Sequence, residues 1–154
     1  AVDLKEDKLK LAKSLGATHI INSSTENAEE KIIQILGEQK LNVFIDNTGV
    51  PNIIEMGYKL TDILGRVVLV GVPRIGNNIN LFSLPLHFGK TIIGSHGGEV
   101  DPAKDIIRYL NLIKNKEIKL EQLISRIFSL KEVNNAIDEL TNGNIAGRVM
   151  IKFD

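Results

Sequence analysis

The sequence has no cysteine, no net charge and no long hydrophobic run, and each absence excludes a class of protein. Without cysteine, the 154 residues contain neither a disulfide framework nor a thiolate zinc site. Nineteen Lys and Arg residues balance nineteen Asp and Glu residues, which disfavours a nucleic-acid patch and an electrostatic membrane anchor. No apolar run approaches the ~20 residues of a membrane span, and the first residues lack the basic-then-apolar pattern of a signal peptide. We therefore expect a soluble, cytoplasmic globular unit with no nucleic-acid or membrane partner.

Strand patterns alternate with helix patterns along the chain, which predicts an α/β fold with a parallel sheet. We predict strands at 1–3, Thr18–Asn22, Leu41–Asp46, Arg66–Val72, Lys90–Ser95 and Arg148–Phe153. We predict helices at Lys5–Leu15, Glu26–Gly37, from Pro51 onward, at the turn Leu84–Phe88, from Pro102 to about Asn115, and at Lys131–Thr141, whereas Leu120–Phe128 has no clear pattern. Ligands of such sheets bind at the carboxyl ends of the strands, so the residues that follow each strand are the candidates for chemistry.

Asp3 closes the first predicted strand and directly precedes a helix. In dinucleotide-binding folds an acid at this place accepts hydrogen bonds from the adenosine ribose and repels a 2′-phosphate, which indicates NAD rather than NADP. The alternative is a helix N-cap, because Asp is among the best capping residues. Lys8 could reach the same ribose, or it is a solvated surface charge. The glycine-rich turn that belongs roughly 20 residues before such an acid is not in the sequence.

Two further predicted strands end in short segments that contain glycine. Asn47, Thr48 and Gly49 follow the third strand and offer a polar turn against which a flat ligand could lie, although an ordinary strand-to-helix turn would look the same. Val70-Gly71-Val72 would let backbone groups approach a ligand closely, because glycine has no side chain. Its alternative is close strand packing next to Pro73.

Ser95 ends the fifth predicted strand, His96 follows it, and Arg148 begins the last strand. A histidine titrates near neutral pH and could act as acid or base, but no serine–histidine–acid or paired-carboxylate pattern surrounds His96. The three histidines are too dispersed for a metal site. The guanidinium of Arg148 suits a pyrophosphate because it donates parallel hydrogen bonds, with a surface ion pair as the alternative.

The order of these segments is more specific than any one of them. Together they resemble the medium-chain dehydrogenase/reductase family, and most closely its zinc-dependent alcohol dehydrogenase branch. The matching segments are Val2-Asp3, Lys8, Ala12 to His19, Asn22, Phe44 to Gly49, Gly65 to Pro73, Gly89-Lys90, Gly94-Ser95 and Gly147-Arg148. The resemblance extends over essentially all 154 residues but covers only the C-terminal half, or slightly less, of a typical member.

This resemblance implies a cofactor-binding fragment of an NAD(H)-dependent alcohol or polyol dehydrogenase, with a small alcohol or carbonyl compound as the parent's substrate. It implies that Asp3 and Lys8 hold the ribose, that Arg148 reaches the pyrophosphate, and that three segments flank the rest of the cofactor. These are Asn47, Thr48 and Gly49 on the adenine side, Val70, Gly71 and Val72 along the nicotinamide, and Ser95 and His96 on the nicotinamide side. It implies dimers through the edge at Ile79–Leu81 and Lys90–Ser95.

The resemblance also implies what the chain lacks. The family's zinc with its Cys, His and Glu ligands, its proton relay and its glycine-rich turn belong to the N-terminal half. We therefore expect zinc in the parent enzyme only, no catalytic residue and no metal ligand in this chain, and an inactive isolated fragment. Two other interpretations stay open: a zinc-free, NADPH-dependent quinone or enoyl reductase, which Asp3 disfavours, and a non-catalytic nucleotide-binding or interaction module.

The expected fold is a partial Rossmann-like, doubly wound parallel sheet without its first strand. We assign residues 1–95 to a partial dinucleotide-binding domain, and residues 96–154 to helices and a strand that pack on an absent catalytic domain. With strand 1 missing from the order 3-2-1-4-5-6, we expect Thr18–Asn22 and Arg148–Phe153 to lack partners and the edge of Leu41–Asp46 to be open. An open apolar edge invites pairing with another chain, so we expect a homo-oligomer or a piece of a longer enzyme.

Overall fold

The computed structural model describes residues 1–115, 117–118 and 120–153. The strands are β1 (Val2–Asp3), β2 (Ile21–Asn22), β3 (Leu41–Asp46), β4 (Thr61–Leu69), β5 (Thr91–Gly94), β6 (Ile124–Ser129) and β7 (Arg148–Lys152). The helices are α1 (Glu6–Ser14), α2 (Ala28–Leu36), α3 (Pro51–Leu60), α4 (Pro102–Lys114) and α5 (Val133–Thr141). Short 3₁₀ turns occur at Leu84–Phe88, Gly97–Glu99, Leu120–Leu123 and Leu130–Glu132. No helix of the described residues is long and apolar enough to cross a membrane.

The chain forms two compact units. The first contains Ala1–Ala28 and the described residues from Pro102 onward, and the second contains Glu29–Asp101. The predicted division at residue 95, with residues 96–154 packing on an absent catalytic domain, stays a prediction.

The first unit contains two parallel strand pairs. β1 pairs with β2, with Val2 opposite Ile21, and β6 pairs with β7. Two expectations were therefore wrong, because both the strand ending at Asn22 and the last strand have partners. The two-residue tip at Val2 is long enough to pair, and β6 forms within a segment without a clear pattern. The apolar residues of β6, Ile124, Ile127 and Phe128, do not alternate with polar ones, so the sequence pattern did not reveal this strand.

The core of the first unit is small. Phe128, Ala136 and Ile145 form a buried cluster against which two residues of β7 pack. Leu9 of α1 is also buried, at 1% exposure. Helix α1 ends where the sequence predicted: Gly16 has a φ of 113°, and the N–H groups of Gly16 and Ala17 donate to carbonyls of the last helical turns.

The second unit contains the three-stranded parallel sheet β3-β4-β5, with β4 in the centre. Val67 of β4 is fully buried, and Ile54 and Tyr58 of α3 complete the core beneath it. Gly57 is required on α3 because a methyl group there would collide with the ring of Phe44 on β3. The apolar residues of α2 are only partly buried: Ile32 is buried, whereas Ile33 and Ile35 are exposed.

The strand predicted at Arg66–Val72 is displaced toward the N-terminus. β4 begins at Thr61, directly after α3, and ends at Leu69. It ends there because the N–H groups of Val70 and Gly71 both donate to the carbonyl of Asp46 instead of continuing the ladder. Removing strand 1 from the order 3-2-1-4-5-6 leaves one pair and one triplet. The pair β1-β2 and the triplet β3-β4-β5 have this pattern.

Candidate functional site

The three strands of the second unit end at one edge, and the predicted site residues follow them there. The register places Asp46 opposite Leu69 and Leu69 opposite Gly94. The residues that come next are the predicted ones: Asn47, Thr48 and Gly49 after β3, Val70, Gly71 and Val72 after β4, and Ser95 and His96 after β5. Since the carboxyl ends of parallel strands carry the ligand sites of open α/β sheets, this edge is the candidate site of the second unit.

The turns after β3 and β4 pack backbone against backbone. Gly49 has a φ of 67°, and a methyl group on it would lie 2.7 Å from the carbonyl carbon and oxygen of Val72. A methyl group on Gly71 would lie 2.5 Å from the carbonyl carbon of Asn47 and from the nitrogen of Thr48. Two glycines therefore allow the turns to interlock. Gly71 thus packs closely against the turn after β3, and the contact with Pro73 is made by Gly49.

Asp46 organises this edge and was not among the predicted site residues. Its side chain is buried, and its Oδ1 accepts hydrogen bonds from the backbone N–H of Thr48 at 3.0 Å and from the Thr48 hydroxyl at 2.6 Å. Its Oδ2 accepts from the N–H of Gly49 at 2.8 Å. The sequence signal was an aspartate followed by Asn-Thr-Gly, because aspartate commonly accepts a hydrogen bond from the backbone two residues ahead.

Ser95 and His96 are positioned by the turn that follows β5. The N–H of Ser95 donates to the carbonyl of Leu69 at 2.8 Å, and its hydroxyl accepts from the N–H of Gly98 at 3.1 Å. His96 is exposed at the start of the 3₁₀ turn. Gly97, Gly98 and Glu99 all have positive φ, so the backbone leaves the sheet in an unusual conformation directly beside His96.

In the first unit, Asp3 lies at the carboxyl end of β1. Its Oδ1 accepts a hydrogen bond from the N–H of Lys5 at 2.9 Å. The helix N-cap position belongs to Lys5, and α1 begins at Glu6. The N-cap alternative for Asp3 was thus wrong, because the N-cap lies two residues beyond it. The Oδ2 atom accepts no hydrogen bond from the described residues and is available to a ligand hydroxyl.

Lys8 and Arg148 are the basic candidates of this unit. Lys8 is exposed on the first turns of α1, beside a shallow groove of about 250 Å³ between that helix and residues 143–146. Arg148 is exposed, and neither side chain has an ion-pair partner among the described residues. Gly147 fixes the backbone before Arg148: its φ is 97°, and a methyl group there would lie 2.5 Å from the carbonyl oxygen of Leu123.

Two buried polar residues with shifted pKa values lie near the opposite edge of the second unit's sheet. Burial lowers the pKa of Lys90, with the carboxylate of Asp62 acting in the other direction, and Lys90 Nζ donates to the carbonyl of Tyr58 at 2.8 Å. Burial raises the pKa of Tyr58, whose hydroxyl donates to the carbonyl of Phe82 at 2.9 Å. Both border a groove of about 530 Å³. Lys90 precedes β5, so this groove is near the amino end of that strand.

Among the described residues, no group of three or more His, Cys, Asp or Glu side chains could hold a metal ion. The described residues therefore do not fit a zinc site.

A family model described as zinc-binding dehydrogenase matches residues 1–115. The chain belongs to the zinc-binding dehydrogenase family. This confirms the resemblance to the zinc-dependent alcohol dehydrogenase branch.

Known members of the zinc-binding dehydrogenase family align with the whole chain. The chain is 32% identical to an NAD-dependent alcohol dehydrogenase of Sulfolobus acidocaldarius over 98% of its length, and 34% identical to an alcohol dehydrogenase of Geobacillus stearothermophilus over 100%. The crystal structure of benzyl alcohol dehydrogenase from Acinetobacter calcoaceticus superimposes on the whole chain with a TM-score of 0.89 at 34% identity. The expected α/β, Rossmann-like fold class is thereby confirmed.

The chain is much shorter than these family members. It spans 42% of the Sulfolobus enzyme, 43% of the Geobacillus enzyme and 42% of the Acinetobacter chain.

Proposed function

We propose that this chain is the cofactor-holding part of an NAD(H)-dependent, zinc-type alcohol or polyol dehydrogenase. The observation that carries the proposal is the row of three strand ends, two of them interlocked through glycine, in a chain of the zinc-binding dehydrogenase family. A nicotinamide cofactor supplies hydride transfer to or from an alcohol or carbonyl carbon. This chain's residues would bind and orient that cofactor.

The family resemblance assigns each predicted set of residues to one part of a dinucleotide. In the first unit, the free Oδ2 of Asp3 would accept a hydrogen bond from a ribose hydroxyl, Lys8 would lie beside that ribose, and the unpaired guanidinium of Arg148 would bind the pyrophosphate. In the second unit, Asn47, Thr48 and Gly49 would lie along the adenine side and Val70, Gly71 and Val72 along the nicotinamide, with Ser95 and His96 near its ring. Exposed residues at these strand ends support that assignment, namely Asn47, Thr48, Val70, Val72 and His96.

We assign zinc, the groups that activate the substrate and the substrate pocket to a part of the parent protein outside these residues. No catalytic residue is assigned to this chain. The exposed apolar face of α4, with Ile106, Ile107 and Leu110, supports the proposal that residues 96–154 pack on a catalytic domain. The cytoplasmic location stays a prediction.

We extend the proposal to a homodimer formed through the edge strand β5 and the neighbouring Ile79–Leu81. In this sheet β5 pairs on one side with β4, and Ile93 on it is half exposed. Edge strands with exposed apolar residues are templates for pairing with a second chain.

The cofactor proposal is tested by fluorescence titration of the chain with NADH and with NADPH, with its mass in solution measured in the same buffer. We expect saturable binding that prefers NADH. Asp3→Asn keeps the acceptor for the N–H of Lys5 but removes the charge that repels a 2′-phosphate. It should reduce the preference for NADH by about tenfold, since a hydrogen bond to a charged group contributes about 1.5–3 kcal/mol. Asp7→Asn, an exposed acid in the first turn of α1, is the matched control.

Three results would contradict the proposal. Preference of the unaltered chain for NADPH would favour the quinone or enoyl reductase interpretation. An unchanged preference in Asp3→Asn would remove Asp3 from the site. Absence of binding to either cofactor, together with self-association, would favour the non-catalytic interaction module.

A further inference from the structure

Asp46 is a buried carboxylate that forms no ion pair among the described residues. Its residue is 1% exposed, and burying a charge is unfavourable unless hydrogen bonds replace the lost water. Three donors do so here: the N–H and hydroxyl of Thr48 and the N–H of Gly49. All three belong to the turn that the proposed function assigns to the cofactor, so the charge of Asp46 is balanced by that turn.

Both carboxylate oxygens are used as acceptors. Oδ1 accepts two hydrogen bonds from Thr48, and Oδ2 accepts one from Gly49. An amide of the same shape would present an N–H₂ group to one of these donors, so one hydrogen bond would become a donor–donor contact. The geometry requires a carboxylate at this position.

Asp46 also holds the second turn, through its main chain. Its carbonyl oxygen accepts hydrogen bonds from the N–H of Val70 at 2.8 Å and from the N–H of Gly71 at 2.9 Å. The side chain of Asp46 thus fixes the turn after β3, and its backbone fixes the turn after β4. The contact of Gly49 with the backbone of Val72 joins the two turns directly.

We propose that Asp46 is a positioning residue of the cofactor site, whose carboxylate sets the backbone geometry of both turns without contacting the cofactor. The predicted effect of Asp46 on cofactor affinity rests on the proposed function. The structural part of the inference, the ordering of the turns, is independent of any ligand.

Asp46→Asn is the direct test, with hydrogen exchange and NADH titration on the same samples. Exchange at the amides of Thr48 and Gly49 should become at least about tenfold faster, since a hydrogen bond to a charged group contributes more than 1.4 kcal/mol. Exchange at Ile54 and Tyr58 in α3 should stay unchanged, and NADH affinity should fall about tenfold. The matched control is Asp62→Asn, another aspartate that accepts a backbone N–H, here from Ile63 at 2.6 Å. It should leave both measurements unchanged.

A second variant covers the case in which Asp46→Asn does not fold. Thr48→Val removes one of the three donors, and with it the acceptor for the N–H of Val50 at 3.1 Å. Because both backbone donors to Asp46 remain, exchange at Gly49 and NADH affinity should change in the same direction by less. Unchanged exchange at Thr48 and Gly49, or unchanged NADH affinity with faster exchange, would overturn the inference. A uniform increase in the exchange rate that includes the amides of α3 would also overturn the inference, because Asp46 would then stabilise the whole fold and not the two turns. If the unaltered chain does not bind NADH, the proposed function fails for this chain, and exchange at the turn amides alone decides the role of Asp46.

Discussion

Gly71 shows how much of the site depends on the absence of a single methyl group. Its neighbours are backbone atoms of Asn47 and Thr48, which cannot move aside as a flexible side chain could. Gly94 lies at the end of the adjacent strand β5 and has no neighbour within 4 Å of the position that a methyl group would occupy. Neither glycine requires a positive φ. The two positions therefore differ in the room available for a methyl group and not in backbone conformation.

Gly71→Ala should lower the free energy of unfolding by about 3 kcal/mol or more, because the added methyl group overpacks against main chain. Gly94→Ala is the matched control and should change it by about 1 kcal/mol or less, in either direction. Urea denaturation measures both. Equal effects of the two substitutions would show that the turns after β3 and β4 are not interlocked as described.

At the scale of elements, the sequence predicted what depends on local pattern. The helix stop at Gly16, the helix start at Pro51 and the strand Leu41–Asp46 could be read from composition and spacing. The end of β4 could not, because it is decided by hydrogen bonds from Val70 and Gly71 to another strand. β6 was missed since its apolar residues, Ile124, Ile127 and Phe128, do not alternate with polar ones.

Helix α3 is held to the rest of the second unit partly by Tyr58, and this contact has a pH dependence. Burial raises the pKa of Tyr58 above 10.0, so the folded chain keeps a proton that the unfolded chain releases. The contribution of Tyr58 to stability is therefore fully present below pH 10 and is lost as the pH rises through the folded-state pKa. The lowered pKa of Lys90 has the opposite effect on stability. Because the unfolded chain binds this proton more tightly, stability rises with pH from the folded-state pKa of Lys90 up to 10.5.

Tyr58→Phe should lower the free energy of unfolding by about 1 kcal/mol at neutral pH, because the carbonyl of Phe82 loses its donor. Above pH 10 the difference from the unaltered chain should shrink. Denaturation at several pH values measures both effects. Tyr109→Phe, at the exposed second tyrosine of the chain, should change neither. Parallel pH profiles of Tyr58→Phe and the unaltered chain would rule out the assigned role of Tyr58.

At the scale of the whole molecule, family membership explains why the site residues are spread along the sequence. Each strand of the second unit's sheet contributes two or three residues at its carboxyl end, and each set is unremarkable by itself. Their order predicted the family and the strand-end location, whereas Asp46 was missed because a buried acid at a turn has the same sequence signal whether or not it supports a site. The lining of the 530 Å³ groove beside Lys90 includes none of the predicted cofactor residues.

The central claim is that NADH binds at the carboxyl ends of the strands, and amide chemical shifts during an NADH titration test it most directly. Shifts should concentrate at Thr48, Gly49, Gly71, Ser95 and Asp3 and should saturate together, whereas amides beside the groove at Tyr58 and Lys90 should stay in place. Saturating shifts at the groove with none at the strand ends would contradict the account, and so would a complete absence of saturable shifts.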